Sequence, residues 1–147
     1  MTEQGTPPVV DWASLAAQAQ PRRKTVALCL RGDLAADLES AIEDGAGERV
    51  DELTDQVRAA TVNFVLAGLT RQKYRALEAQ HPDKDGGSGW NMDTFPEALV
   101  RACLTEPVVA PADPLFDVLT PAQVDKLFEA AFLACNEVDD IPLLKRG

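Results

Sequence analysis

Along the chain, apolar positions first become periodic at Lys24–Arg31, KTVALCLR, where Val26, Leu28 and Leu30 alternate with Thr25, Ala27 and Cys29. Period-two alternation predicts a strand buried on one face. Gly32-Asp33 breaks it, and Asp33 is suited to cap a helix whose apolar stripe is Leu34, Leu38 and Ile42. DGAG at 44–47 ends that helix, and a second over 48–60 aligns Val50, Leu53, Val57 and Ala60. Two amphipathic helices joined by a glycine turn predict a helical hairpin. TVNFVLAG at 61–68 returns to period two, with Val62, Phe64 and Leu66 on one face. The two strands can pair antiparallel around the hairpin, and a two-stranded sheet needs an apolar cover, for which the C-terminal helices are the candidates.

Those helices carry start signals. Thr70 caps a helix through Tyr74 and Leu77, with Leu69 before it as a staple partner for Tyr74, and His81 ends it where Pro82 blocks its continuation. Thr94-Phe-Pro-Glu97 has the spacing of a capping box and predicts a helix with Phe95, Leu99, Ala102 and Cys103 inward. Pro107 and Pro111 end that region, and Asp113-Pro114 begins one short turn through Leu119. Thr120-Pro-Ala-Gln123 opens the last helix, with Val124, Leu127, Phe128, Ala131 and Cys135 as a broad stripe. Upstream, residues 1–10 are expected to be disordered, and Asp11 caps a short helix over Trp12, Leu15 and Ala16. The expected fold is therefore mainly α with a small antiparallel two-stranded β element (α+β): strand, helical hairpin, strand, then three or four packed helices. The expected organisation is an N-terminal segment, 1–23, one domain, 24–136, and a tail, 137–147.

Composition agrees: 46% of the 147 residues are apolar and only 5% aromatic, which favours helices packed closely over an aromatic-rich sandwich. The formal charge of −10 is spread along the chain and argues against nucleic-acid and anionic-membrane partners, both of which require clustered cations. Arg22-Arg23-Lys24, the one basic run, is too short to reverse this and reads as a solvated flank of the first strand. Three widely spaced cysteines, Cys29, Cys103 and Cys135, sit in apolar patterns and read as small buried hydrophobes in a reducing compartment. Neither a signal peptide nor a membrane-spanning run is visible.

Few residues point to chemistry. With a single histidine, His81, and no G-x-S-x-G, the sequence offers no catalytic triad, and no glycine loop following a strand is built to cradle phosphate. DKDGGSG at 83–89 lacks the acidic ladder and closing Glu of a calcium loop and reads as a turn. Glu137, Asp139 and Asp140 form an acidic cluster of the solvated kind. The expectation is a non-enzyme without catalytic, cofactor or metal residues.

His81-Pro82-Asp83 is the tripeptide by which J-domain co-chaperones engage Hsp70, and it follows a helix containing Tyr74. In J-domains that Tyr stands eight residues before the His; here it stands seven before, a difference of about 100° around a helix. Tyr74 is also the only tyrosine, so the preceding J-domain helix lacks its mark, and the basic residues Arg71, Lys73 and Arg75 occupy only the first turns. A J-domain-like co-chaperone, or a generic acidic protein-interaction module, remain alternatives.

A different resemblance covers residues 24–136. KTVALCLRGDLAADLESA, ATVNFVLAGLTRQKYRALEAQHPDKD, WNMDTFPEALVRACLTEP and LFDVLTPAQVDKLFEAAFLACNE, in that order, resemble the tail assembly chaperones of long-tailed (siphovirus-type) actinobacterial phages. The most specific element is Trp90-Asn91-Met92-Asp93-Thr94-Phe95 with Ala98-Leu99, set at a fixed distance after His81-Pro82; the family more often has a second proline where this chain has Asp83. The resemblance implies a non-catalytic chaperone that binds the tape measure protein and keeps it soluble. It also implies tail tube protein as a second partner through a frameshifted longer product, self-association as a further candidate, and a place in the host cytoplasm but not in the mature virion. His81, Pro82, Trp90, Asn91, Thr94 and Phe95 are its motif residues and candidate partner-binding residues. Trp90, after a glycine-rich loop, is either an exposed anchor for a partner or a pin holding the loop on the core.

Overall fold

A computed structural model of the protein describes residues 7–138; the expected disorder of residues 1–6 and the tail from Asp139 onward lie outside the described residues. Asp11 caps the first helix as its sequence predicts, accepting from the Ser14 N–H, but α1 (Trp12–Gln18) buries no residue and leaves Trp12 exposed.

The alternating segment forms β1 (Arg23–Cys29), with Val26 and Leu28 buried. It ends two residues before the predicted limit, so Leu30 is exposed instead of joining that face. The hairpin helices α2 (Gly32–Glu43) and α3 (Gly47–Ala59) follow, turning at Gly45, whose φ is +68°. Asp33 is not the N-cap: Arg31 takes that position, two residues earlier, and Asp33 in the first turn of α2 forms a two-point ion pair with it, at 2.7 and 2.9 Å. The Arg31 hydrogen bond holds the Asp33 carboxyl down at about 2. On α2 the buried position is Ala41, and Ile42 is exposed. Seven steps from Leu34 fall about 20° short of two full turns and eight overshoot by about 80°, so Ala41 shares the face of Leu34 and Leu38 more closely than Ile42 does.

β2 (Thr61–Ala67) pairs antiparallel with β1, with Val26 opposite Phe64 and Leu28 opposite Val62. The helix predicted at Thr70 is α4 (Arg71–Gln80), where the Thr70 side chain accepts from the Lys73 N–H. The next is α5 (Phe95–Cys103), which buries Phe95, Leu99, Val100 and Cys103 while Ala102 faces solvent. Because α5 packs on both the last helix and β2, its buried arc is centred near Leu99 and Cys103 and takes in Val100 in place of Ala102.

A third strand was absent from the sequence expectation. β3 (Leu104–Glu106) runs directly out of α5 and pairs antiparallel with β2, giving the order β1-β2-β3, so the sheet has three strands instead of two. Three residues are too few to show an alternating pattern, and no breaker separates them from the helix. After it come α6 (Leu115–Val118) and α7 (Pro121–Asn136), and the Thr120/Gln123 capping box of α7 forms in full. The protein is thus an α+β fold, mainly helical.

α5 and α7 cover one face of the sheet, as expected, and the core comprises Val26, Leu28, Phe64, Leu66, Phe95, Leu99, Val100, Cys103, Leu119, Leu127, Ala130 and Ala131. The opposite face presents Thr25, Ala27 and Asn63 to solvent. Gly68 lets β2 and α7 meet: a Cβ there would lie 2.2 Å from the Ala134 carbonyl oxygen. Arg22 and Lys24 do not simply flank β1 in solvent; both pair with Glu137 just past α7, at 2.7 and 3.1 Å.

The α2–α3 hairpin stands apart from this body. Its buried residues, Ala41 and Leu53, are not members of the main core, and the two helices pack chiefly on each other. Nine acidic and two basic residues in 32–60 keep its outer surfaces solvated.

Candidate functional site

The motif residues meet at one corner of the molecule. α4 ends where its sequence predicts: the His81 N–H bonds back to the Glu78 carbonyl, and Pro82, which has no N–H to donate, follows. The chain then turns through Asp83, whose carboxylate accepts from the Asp85 N–H at 2.9 Å, and through Gly86, whose φ of +77° favours glycine. It returns alongside itself, with Pro82 and Trp90 forming an isolated antiparallel bridge and the Asn91 N–H donating to the His81 carbonyl at 2.9 Å. Lys84 pairs with Asp93 across the outside of the loop.

Asn91 then organises the entry to α5. Its carbonyl accepts from the N–H groups of Thr94 and Phe95, and its side-chain oxygen accepts from the Asp93 N–H at 3.0 Å. The Thr94 side chain does not close the predicted capping box: it makes no cap hydrogen bond, and its hydroxyl lies 2.8 Å from His81 Nδ1. Asn91 supplies from the backbone part of what the box would have supplied, which leaves the Thr94 hydroxyl free to tie α5 to the end of α4.

Phe95, fully buried, is the hub of the corner. Trp90 stacks on it at 4.6 Å with an interplanar angle of 18°, and Tyr74, His81 and Phe128 meet it edge-on at 6.1–6.2 Å. Trp90 also meets Phe128 and Phe132 edge-on, and its indole N–H donates to the Glu78 carboxylate at 2.7 Å. Of its two candidate roles, this placement is that of the pin: one face and the polar edge of the ring are already occupied by the protein itself. Such stacked and edge-on pairs add about 0.5–1.5 kcal/mol beyond burial alone.

All six motif residues are therefore brought together. Sequence reasoning did not single out Glu78 as the Trp90 partner, nor Phe128 and Phe132 as its neighbours; the spacing of Phe128 and Phe132, one helical turn apart, was the available signal. It also treated the three cysteines alike. Cys103 is buried, but Cys29 and Cys135 are only partly so, and Cys103 and Cys135 face each other with their sulfurs 3.7 Å apart.

In chemical terms the corner is a set of packed rings closed by hydrogen bonds. The imidazole of the only histidine is turned toward a threonine hydroxyl and a phenyl ring. Among the described residues no group of three or more His, Cys, Asp or Glu side chains is arranged to hold a metal ion, and no helix is long and apolar enough to cross a membrane. Compared with protein-family models, with curated proteins and with solved structures, the chain gives no match.

Proposed function

We propose that this chain is a tail assembly chaperone of a long-tailed phage, a non-catalytic protein that binds the tape measure protein and keeps it from aggregating until the tail tube assembles around it. The observation that carries the reading is the run from His81-Pro82 through Trp90–Phe95 to Ala98-Leu99, whose motif residues form a single corner. Asp83, the residue that creates the likeness to a J-domain, accepts a hydrogen bond within its own loop, which supports reading the tripeptide as a helix stop. A tape measure protein is a long helical client with apolar faces, prone to aggregate before assembly. Modest contacts repeated along its length hold it by avidity and still allow release.

The test is co-expression with the tape measure protein encoded beside it. The expected result is a larger soluble fraction of that protein and its co-purification with this chain; an unchanged soluble fraction counts against the proposal. Stimulation of an Hsp70 ATPase that is lost in His81→Gln would support the J-domain alternative instead.

A further inference from the structure

The sulfurs of Cys103 and Cys135, 32 residues apart in sequence, lie 3.7 Å from one another. Cys103 closes α5 and is 1% exposed; Cys135 lies in the last turn of α7, is partly exposed, and accepts a hydrogen bond from the Leu69 N–H at 3.3 Å. A surface groove is lined by Pro21, Arg22, Thr70 and Lys73 and by two neighbours of Cys135, Ala134 and Leu69. The third thiol, Cys29, is engaged elsewhere, donating to the Arg31 carbonyl. The two facing thiols are thus unequal in burial: Cys135 is partly exposed, and Cys103 is buried behind it.

We propose that Cys135 is an oxidation site and Cys103 its resolving partner, so that a low-molecular-weight disulfide such as oxidised glutathione converts the pair to an internal disulfide joining α5 to α7. In the first step the Cys135 thiolate attacks one sulfur of oxidised glutathione, forming a mixed disulfide and expelling one glutathione thiolate. In the second, the Cys103 sulfur attacks Cys135 Sγ, the bond to glutathione breaks, and the Cys103 proton leaves with the second glutathione as its thiol. The two protein thiols lose two electrons and the glutathione disulfide gains them.

The neighbours suit this order. Either thiol can donate across the 3.7 Å contact; with Cys103 as the donor, that hydrogen bond and the Leu69 N–H hold Cys135 below the ordinary thiol range, favouring the nucleophilic form. The same contact, with burial, pushes Cys103 up. Once Cys135 is a mixed disulfide it no longer carries a charge and the largest cause raising Cys103 is gone; burial still holds its proton, which passes to the departing glutathione sulfur as the new bond forms. A disulfide length of about 2.05 Å requires the sulfurs to approach by about 1.7 Å, a movement that small side-chain rotations can share. This inference is independent of the function proposed above.

The experiment treats the purified full chain with oxidised glutathione, alkylates it under denaturing conditions without reduction, and maps it with trypsin. Cleavage after Lys126 places Cys103 and Cys135 in different peptides, so a linked pair reports the bond directly. The expected result is that linked pair, a chain lighter by two hydrogens, an unfolding temperature raised relative to the reduced chain, and reversal by dithiothreitol. Cys103→Ala should trap glutathione on Cys135. Recovery of both cysteines alkylated, a wild-type chain that stops at the Cys135 adduct, or a bond involving Cys29 overturns the proposal. Mapping the wild-type chain decides the matter even where a cysteine variant does not fold.

Discussion

His81 and Thr94, thirteen residues apart, share a 2.8 Å hydrogen bond that joins the end of α4 to the start of α5. This contact takes Thr94 out of the capping role its sequence suggests and makes the corner depend on two helices at once. Thr94→Val keeps the shape but removes the hydroxyl, and it should destabilise the fold by about 1 kcal/mol, the net worth of a typical intramolecular hydrogen bond. A urea titration checks this; a variant as stable as the parent would show that the bond contributes nothing.

Trp90 is held by a stack on Phe95 and a hydrogen bond to Glu78. Trp90→Ala should therefore cost roughly 2–4 kcal/mol, toward the low end for aromatic-to-alanine changes because the ring is only half-buried. Glu78→Gln retains an acceptor and should cost less. Equilibrium denaturation separates this reading from that of an exposed anchor, for which Trp90→Ala would leave stability unchanged.

Gly68 and Gly47 make opposite predictions. A Cβ at Gly68 meets backbone at 2.2 Å, so Gly68→Ala must push β2 and α7 apart and should cost about 3 kcal/mol. At Gly47, the first residue of α3, a Cβ meets nothing within 4 Å, and Gly47→Ala should raise stability by up to about 1 kcal/mol through helix propensity. Thermal unfolding midpoints that move in the same direction for both variants would contradict the packing described.

The α2–α3 hairpin, with Ala41 and Leu53 outside the main core, should open without the rest of the protein. Leu53→Ala should raise hydrogen-exchange rates across residues 32–60 by tenfold or more, as expected for a local loss of about 2 kcal/mol. Amides of β2 and α7 should keep their parental rates. A uniform increase throughout the chain would mean that the hairpin and the body unfold as one unit.

The sequence alone determined what depends on neighbours in the chain. Period-two alternation in β1 and β2, the helical hairpin between them, the caps at Asp11, Thr70 and Thr120, and the C-terminal helices as cover for the sheet were all legible, because each follows from local spacing and backbone chemistry. The His81 stop was legible for the same reason. Tertiary structure decided whatever needed a distant partner. Leu104–Glu106 becomes a strand only because the edge of β2 is there to receive it. Thr94 turns to His81 because Asn91 already satisfies the start of α5, and Trp90 becomes a pin because Glu78, Phe95, Phe128 and Phe132 converge on it from three helices. Cys103 and Cys135 meet because α5 and α7 pack side by side on one sheet, a juxtaposition that neither residue's local pattern encodes.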